Sequence, residues 1–401
     1  MSKMLSRIET PCFVINSAIF DKNYLAFRSA LDCWWPNSAI AYSVKTNALP
    51  WVLERIFKLG GMAEVVSDFE YELAKLAGFS DDQIVFNGPI KSKKYFIHGV
   101  NSSALVNIDS YRELRWLEEI PLGNEHVIGL RVNIDISDSC PGEFDYSNEG
   151  FRFGFSYENG QLGLALERIH KLGFESVGLH FHCNSITRSL NVYSSIANKI
   201  ASIVNEYNLC LRYIDIGGGF FGGIPGKPSP DDYLSIISNE LLKAIDPSKT
   251  TLILEPGSAI VGSSTEYVTT VLDVKDTLKA RIVSTDGSRV SIDPLWRKER
   301  YMYSLITKKD NIFPSQIICG YTCMDHDRIM RLVDDKELSV GDVIAYKRVG
   351  AYSMTMDNMF IQGLPSVYVS DGMSVTKVRS ASTSEDFYLL NSGTVTRLTI
   401  S

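Results

Sequence analysis

Short apolar runs alternate with amphipathic stretches between residues 20 and 262. The apolar runs predict buried strands at 39–45, 63–66, 83–87, 104–108, 127–133, 176–182, 213–216 and 251–255. The stretches between them have apolar residues at helical spacing, and several begin with Ser, Asp or Pro and end near Gly, as at 51–59, 68–77, 190–207 and 230–245. Eight strands separated by helices are typical of a parallel (β/α)8 barrel of the TIM type. An open doubly wound sheet is the alternative, and periodicity does not separate the two.

The pattern changes after residue 262. Short strand-like runs separated by turn residues follow at 267–273, 278–284, 289–292, 315–319, 343–346, 366–370 and 394–400. They predict a mostly antiparallel β-domain. Because 401 residues exceed what one hydrophobic core usually serves, we expect two domains: a barrel at 20–262, and a β-domain made of 1–19 plus 263–401.

Composition is that of an ordinary folded protein, with 45% hydrophobic and 22% charged residues. The net charge of −7 argues against nucleic-acid and anionic-membrane partners. No stretch resembles a signal peptide or approaches the ~18 apolar residues of a membrane span, so we expect a cytoplasmic protein. The seven cysteines are odd in number and never arranged as Cys-x-x-Cys, which favours reduced thiols.

Polar residues and glycines end many of the predicted barrel strands, where barrel enzymes place their chemistry. They are Lys45, Glu64, Asn87, Arg131, His182, Gly217–Gly219 and Glu255. Each alone has an ordinary structural interpretation, such as a solvated cap or a turn. Together, a lysine, a histidine, a glycine run and an acid predict a cofactor site. His180 and His182 alternate on one strand without a third ligand nearby in sequence, so we predict no metal.

In their joint order, the motifs resemble the ornithine/diaminopimelate decarboxylase family. They are Ala41-Tyr42-Ser43-Val44-Lys45-Thr46-Asn47, His180-Phe181-His182, Asp215-Ile216-Gly217-Gly218-Gly219-Phe220, Glu255-Pro256-Gly257, Cys323 with Asp327, and Gly350-Ala351-Tyr352. The resemblance implies a barrel followed by a β-domain and pyridoxal 5′-phosphate as the cofactor. It also implies an activity, the decarboxylation of an amino acid.

The family's roles transfer residue by residue. Lys45 would hold the cofactor as a Schiff base, Glu255 would keep its ring nitrogen protonated, and His182 would stack on its ring. The glycine run, Ser185 and Tyr352 would bind the phosphate. The cofactor-binding set implied is Lys45, Glu64, Arg131, His182, Ser185, Gly217, Gly218, Gly219, Glu255, Gly257 and Tyr352.

The segment around Cys323 resembles one that a subunit lends to its neighbour, which implies a homodimer with shared active sites. Cys323 would return a proton to the substrate, and Asp327, with Asp325, would hold an ammonium group. Lys45, His182, Glu255 and Cys323 form the expected catalytic set.

Departures from the family pattern bear on specificity. Ser258 replaces an arginine that approaches the phosphate, and Ile361 replaces an asparagine. Asp293 and Met324 stand where diaminopimelate decarboxylases carry an arginine and a glutamate. We therefore predict a substrate with a distal amino or polar group that Asp293 attracts, and not diaminopimelate itself. A racemase and a catalytically silent, partner-binding relative are the alternatives.

Overall fold

The computed structural model describes residues 8–120, 127–144, 149–173 and 177–393. Contacts divide the chain into two units, one made of residues 21–261 and the other of residues 1–20 with 262–401. Among the described residues, no helix has both the length and the apolar character needed to cross a bilayer.

The described strands and helices are numbered here in chain order. The strands are β1 (Cys12–Asn16), β2 (Ser38–Ser43), β3 (Met62–Val65), β4 (Ile84–Phe86), β5 (Leu105–Ile108), β6 (Ile128–Asn133), β7 (Phe155–Ser156), β8 (Val177–Phe181), β9 (Leu211–Asp215), β10 (Thr251–Leu254), β11 (Thr265–Asp276), β12 (Arg281–Thr285), β13 (Met302–Ile306), β14 (Ile312–Cys319), β15 (Arg328–Lys336), β16 (Val343–Lys347), β17 (Ser366–Ser370) and β18 (Val375–Arg379). The helices are α1 (Ser17–Trp34), α2 (Pro50–Lys58), α3 (Asp68–Leu76), α4 (Lys93–Asn101), α5 (Tyr111–Leu117), α6 (Gln161–Lys171), α7 (Leu190–Glu206), α8 (Pro230–Leu241), α9 (Ser258–Val261), α10 (Arg289–Ile292) and α11 (Ser384–Asn391).

Within the described residues, eight parallel strands close into a barrel. Their order around the ring is β2, β3, β4, β5, β6, β8, β9 and β10, and β10 pairs with β2. The predicted barrel is confirmed, and closure excludes the open doubly wound sheet. Lys45 differs in detail, because it lies in a 3-10 turn (Val44–Thr46) directly after β2 and not on the strand.

The barrel helices begin where the sequence places good N-terminal residues. Ser67 and Ser189 accept hydrogen bonds from the first turns of α3 and α7. Ser229 and Asp232 form a reciprocal capping box at the start of α8, with Pro230 at its first position. These caps fix where each helix leaves its strand, and so where the intervening loops lie.

The second unit is a mostly antiparallel sheet. Its main order is β15-β14-β12-β11-β1-β17-β18, with β16 pairing β11 and β13. The predicted β-domain is confirmed. Residues 289–292, predicted as a strand, form the short helix α10, because Ser288 caps it by accepting a hydrogen bond from the Val290 N–H. The predicted strand at 394–400 and residue 176 lie outside the described residues.

Candidate active site

Every polar group predicted on the barrel unit lies at the carboxyl end of a strand or just beyond it. Since parallel strands of a closed barrel direct these ends to one rim, the groups share one mouth. They are Lys45 after β2, Glu64 near the end of β3, Asn87 after β4, Arg131 two residues before the end of β6, His182 after β8, Gly217–Gly219 after β9 and Glu255 after β10.

Lys45 forms an ion pair with Glu64. Its Nζ lies 2.5 Å from Glu64 Oε2, and Ser43 donates to the same oxygen at 2.7 Å. Burial acts to raise the pKa of Glu64, but the Lys45 charge and the hydrogen bonds it receives outweigh burial and lower it. The Glu64 side chain is 1% exposed and that of Lys45 is 39% exposed. The acid is therefore an ionised anchor for an amine that faces the solvent.

Asn87 joins the two carboxylates of the site. Its Nδ2 donates to Glu64 Oε1 at 3.1 Å and to Glu255 Oε1 at 2.5 Å. Glu64 is also the partner of Lys45. One carboxamide and one carboxylate thus link the predicted cofactor lysine to the predicted acid, and the two side chains lie at the same end of the barrel.

Glu255 lies in a buried cluster with Asp215 and His180. Burial, followed by the charges of Asp215 and Glu64, raises the pKa of Glu255 well above its ordinary value. Burial raises the pKa of Asp215 to about 7, against the hydrogen bonds it receives. Among the described residues neither ring nitrogen of His180 has a hydrogen-bond partner, and its Nε2 lies 3.7 Å from Glu255 Oε2. Within the described ranges no Lys or Arg forms an ion pair with Asp215 or Glu255, so these buried acids make a place where a positive group is stabilised.

The same three side chains are the kinds that bind metals. Their ligand atoms lie within 4.8 Å of one another. A zinc ion bound to nitrogen and oxygen at about 2.0–2.2 Å needs ligand atoms closer together than that upper separation. Asp215 and Glu255 also favour protonation, whereas a metal requires carboxylates. The absence of metal stays a prediction.

The glycine run forms a tight turn in which any larger residue would clash with its neighbours. Gly217 and Gly219 have φ of +68° and +92°. A Cβ on Gly217 would lie 2.6 Å from His182 Nδ1, and one on Gly218 would lie 2.4 Å from the Glu255 carbonyl oxygen. Gly218 N–H donates to His182 Nδ1 at 3.3 Å. Burial, together with the charges of Arg131 and Lys45, lowers the pKa of His182 to about 3, so its ring is neutral.

Cations that sequence reasoning missed flank this turn. The Arg188 guanidinium and the Lys227 ammonium lie 5.4 Å and 5.1 Å from the ring centre of Phe221, two residues after Gly219. The Tyr233 hydroxyl donates to the Arg188 carbonyl at 2.7 Å and so helps to fix the backbone at Arg188. Ser258 was the signal in the sequence. The resemblance implies an arginine near the phosphate at that position, so its absence indicated that a cation from another part of the chain takes its place.

Ser185 and Gly257 lie on two loops of the mouth. Ser185 Oγ accepts the N–H groups of Thr187 and Arg188, so it shapes the turn before α7. A Cβ on Gly257 would lie 2.0 Å from Thr46 Oγ1. Gly257 therefore lets the loop after β10 touch the turn that carries Lys45.

Arg131 is held at the rim by contacts with Phe153 and Asp109. Its guanidinium lies 4.6 Å from the ring centre of Phe153, and its Nε lies 3.8 Å from Asp109 Oδ1. These contacts leave it as a positive charge beside His182, which fits an anionic ligand at the mouth.

A second lysine, Lys91, is completely buried near the same rim. Burial lowers its pKa, against Glu113 and Asp109, and a desolvated lysine is a natural nucleophile. Its Nζ, however, donates to the carbonyls of Gly88 at 2.6 Å and Asn107 at 2.8 Å, and lies 3.3 Å from Glu113 Oε2. The Lys91 amine is therefore used in hydrogen bonds that hold the loop after β4. Of the two lysines, Lys45 is the one whose amine is accessible at the barrel mouth.

Two acids that were predicted to bind the substrate, Asp293 and Asp327, form hydrogen bonds within the β-unit. Asp293 Oδ2 accepts from the Arg289 guanidinium at 2.8 Å and from Lys298 N–H, while Oδ1 accepts from Arg297 N–H. Asp327 is 2% exposed and accepts from Ser288, Thr322 and the Arg289 N–H. These contacts oppose the predicted binding of a substrate ammonium, because the acceptor positions already have protein donors. Asp293 is also neutralised by Arg289.

The other predicted residues of this unit are on its surface. Cys323 and Asp325 are exposed, and Tyr352 is 44% exposed with φ of +54°. Ile361, where the resemblance implies an asparagine, has φ of +68°, a left-handed conformation that asparagine adopts more readily than isoleucine.

The barrel mouth fits pyridoxal phosphate. It offers an accessible amine for an aldehyde and a neutral imidazole. It also offers a buried acid cluster for a ring nitrogen, and in the described part of the chain no Lys or Arg forms an ion pair with that cluster. The glycine turn has no room for side chains and has two cations nearby, so its backbone suits a phosphate group.

Comparison with known proteins agrees. Residues 18–262 match the family described as pyridoxal-dependent decarboxylase, pyridoxal binding domain. Diaminopimelate decarboxylase of Archaeoglobus fulgidus is 31% identical over 372 residues, which cover 90% of this chain and 87% of that protein. The enzyme of the same name from Aquifex aeolicus is 28% identical, with 90% and 86% covered.

Solved structures extend the similarity to three dimensions. Diaminopimelate decarboxylase of Methanocaldococcus jannaschii has a TM-score of 0.85 at 25% identity, with 97% of this chain and 93% of that one covered. The Helicobacter pylori enzyme, solved in complex with L-lysine, has a TM-score of 0.83 at 26% identity, with 97% and 98% covered.

Fold and site thus define a barrel enzyme that works with pyridoxal phosphate. The chain belongs to the pyridoxal-dependent decarboxylase family. It is a decarboxylase of an amino acid, as the motifs predicted, and the racemase and the silent binding protein are set aside.

Proposed function

We propose that this chain decarboxylates an amino acid whose side chain ends in a polar group, with diaminopimelate as the first substrate to test. Bound pyridoxal phosphate supplies the electron sink that accepts the charge left when CO2 departs. The observation that carries the proposal is the Asn87 bridge between Glu64, the partner of Lys45, and Glu255.

Lys45 is the proposed attachment point for the cofactor aldehyde. Its 39% exposure lets the amine reach a ligand, and the ion pair with Glu64 holds it in one direction until the ligand arrives. Ser43 and Asn87 donate hydrogen bonds to Glu64 and help Lys45 to stabilise its negative charge.

Glu255 is the proposed partner of the ring nitrogen. A positive ring nitrogen would relieve the repulsion between Glu255 and Asp215 and restore the ionised form of Glu255. His182, being neutral, would stack on the ring without exchanging protons. The glycine turn, with Arg188 and Lys227 beside it, would receive the phosphate.

The expectation that diaminopimelate is not the substrate loses its physical basis. It required a free carboxylate at Asp293 to repel a distal carboxylate, and Arg289 neutralises that carboxylate. The diaminopimelate decarboxylases among the relatives also oppose it. Met324, where those enzymes carry a glutamate, still distinguishes this chain.

We also propose a homodimer in which Cys323 and Asp325 of one subunit face the cofactor of the other. The exposure of both residues and the resemblance of their segment support this. Lys45→Ala and Cys323→Ala would each be inactive alone. Mixing the two with re-pairing of subunits would restore about one quarter of the activity, since about half the dimers would each hold one intact site. Failure to restore activity would contradict shared sites.

The deciding assay measures CO2 release from a panel of amino acids by the enzyme loaded with pyridoxal phosphate. The panel contains meso-diaminopimelate, L- and D-lysine, L-ornithine, and alanine as an apolar control. Release from a polar member that stops in Lys45→Ala supports the proposal. Release from alanine alone, or from none of the panel, would contradict it.

A further inference from the structure

Two glycines on barrel strands make room for a polar pair in the interior. A Cβ on Gly129 would lie 1.9 Å from Asn107 Oδ1 and 2.1 Å from the Tyr213 hydroxyl. A Cβ on Gly178 would lie 2.1 Å from Tyr213 Cζ. Glycine weakens a strand interior, so its use at both positions indicates that this tyrosine and asparagine must approach closely.

Three buried side chains form a hydrogen-bonded relay that ends at the active-site acids. Tyr213 OH lies 2.6 Å from Asn107 Oδ1, and Asn107 Nδ2 lies 2.8 Å from Asn87 Oδ1. Asn87 Nδ2 then reaches Glu64 and Glu255. We call Tyr213, Asn107 and Asn87 the amide relay.

The direction of the relay follows from the chemistry of its two ends. Glu64 is ionised and only accepts, so the Asn87 atom that reaches both Glu64 and Glu255 must be the NH2 group. Its oxygen then faces Asn107, which must turn its own NH2 toward Asn87. The oxygen of Asn107 in turn faces Tyr213, whose hydroxyl donates. Every N–H and O–H therefore points toward the acids.

We propose that the amide relay positions Glu255 and favours its ionised form, so that Glu255 holds the proton on the cofactor's ring nitrogen once the cofactor is bound. The inference rests on the proposed placement of that nitrogen at Glu255. Without the relay, Glu255 would share a low-dielectric site with Asp215 and Glu64 and would itself take the proton. Tyr213 and Asn107 act through Asn87 and are positioning residues.

Two measurements on folded protein test the relay without relying on activity. One is the dissociation constant of pyridoxal phosphate from the cofactor-free protein. The other is the 15N NMR shift of bound pyridoxal phosphate labelled at the ring nitrogen, which reports its protonation. Thermal unfolding of each cofactor-free variant shows that it folds.

Asn87→Leu removes both donors at similar volume, and Tyr213→Phe removes only the distal hydroxyl. We expect the dissociation constant to rise about tenfold in Asn87→Leu and about threefold in Tyr213→Phe, with the 15N shift moving toward the unprotonated ring in both. Tyr71→Phe is the matched control, because it removes a buried hydroxyl that donates to Asp81, outside the relay. It should leave both readouts unchanged.

Asn107→Asp gives a pH signature that a structural role would not give. While protonated, the introduced carboxyl group still donates to Asn87, but once ionised it only accepts and reverses the relay. Cofactor affinity in this variant should therefore fall with rising pH more steeply than in the native protein.

Glu255→Gln separates the two levels of the argument. If it changes neither affinity nor the 15N shift, the ring nitrogen is not at Glu255 and the proposed function is wrong at this point. If Glu255→Gln changes both but Tyr213→Phe and Asn107→Asp behave like the native protein, the relay proposal is overturned.

Discussion

The Lys45 ammonium and the Glu64 carboxylate form a 2.5 Å ion pair in which only the lysine is accessible. The pairing orients the amine at the barrel mouth, whereas the nearby Lys91 is enclosed by two carbonyls and Glu113. Of these two lysines, Lys45 is the one that a cofactor aldehyde can reach.

Asp215 should make the stability of the cofactor-free protein depend on pH. Its pKa is raised to about 7 in the folded state, so the folded protein binds this proton more tightly than the unfolded chain. Stability should therefore fall as pH rises from the ordinary aspartate range toward 7, and the full penalty should be present above it. Asp215→Asn should flatten this slope in thermal unfolding measured from pH 4 to 8. Equal slopes in both proteins would refute the assignment.

Asp293 should matter for stability and not for substrate choice. Asp293→Ala leaves Arg289 and two backbone N–H groups without their acceptor, and we expect a loss on the order of 3 kcal/mol in unfolding free energy. Exposed Asp325→Ala, the control, should change stability by less than about 0.5 kcal/mol. A changed ranking of amino-acid substrates in Asp293→Ala at native stability would restore its predicted role in binding.

Ile361 should be a strained position. A β-branched residue at φ of +68° is unfavourable, and Asn adopts this conformation more readily. Ile361→Asn should stabilise the protein by about 1 kcal/mol in urea unfolding. Ile361→Val keeps the branched Cβ and should bring no such gain. Equal stabilities of the two variants would show that the strain is absent.

Arg188 and Lys227 should replace the arginine missing at Ser258. Removing both charges should raise the dissociation constant of pyridoxal phosphate roughly tenfold, because the phosphate loses charge-assisted contacts. Affinity for pyridoxal, which lacks the phosphate, should not change. Lys243→Ala serves as the surface control. If pyridoxal and its phosphate weaken equally, these cations do not contact the phosphate.

The apolar runs were sufficient to predict the barrel strands, because each buried strand is a local feature of the sequence. They did not separate a closed barrel from an open sheet, because closure depends on the pairing of β2 with β10. Strand β1 was not predicted, since its partners β11 and β17 lie about 250 residues or more away along the chain. The strand predicted at 289–292 followed β-branched propensity and overlooked the cap at Ser288. Propensity is local, and a single capping side chain outweighed it.

The site was predictable where one residue type has one chemistry, as with Lys45 and Glu255. The role of a residue was harder to predict where it depends on which side chain the residue pairs with. Arg289, four residues before Asp293, was a visible signal that this acid is paired. The amide relay draws on three separate strands or strand ends, so nothing in the sequence indicates that Asn87, Asn107 and Tyr213 meet.

The most direct test of the account is the identity of the lysine that carries the cofactor. The protein is loaded with pyridoxal phosphate, reduced with borohydride to fix the attachment, digested and analysed by mass spectrometry. We predict the label on the peptide that contains Lys45, and no label in Lys45→Ala. A label on Lys91 or on any other lysine of the native protein would contradict the account.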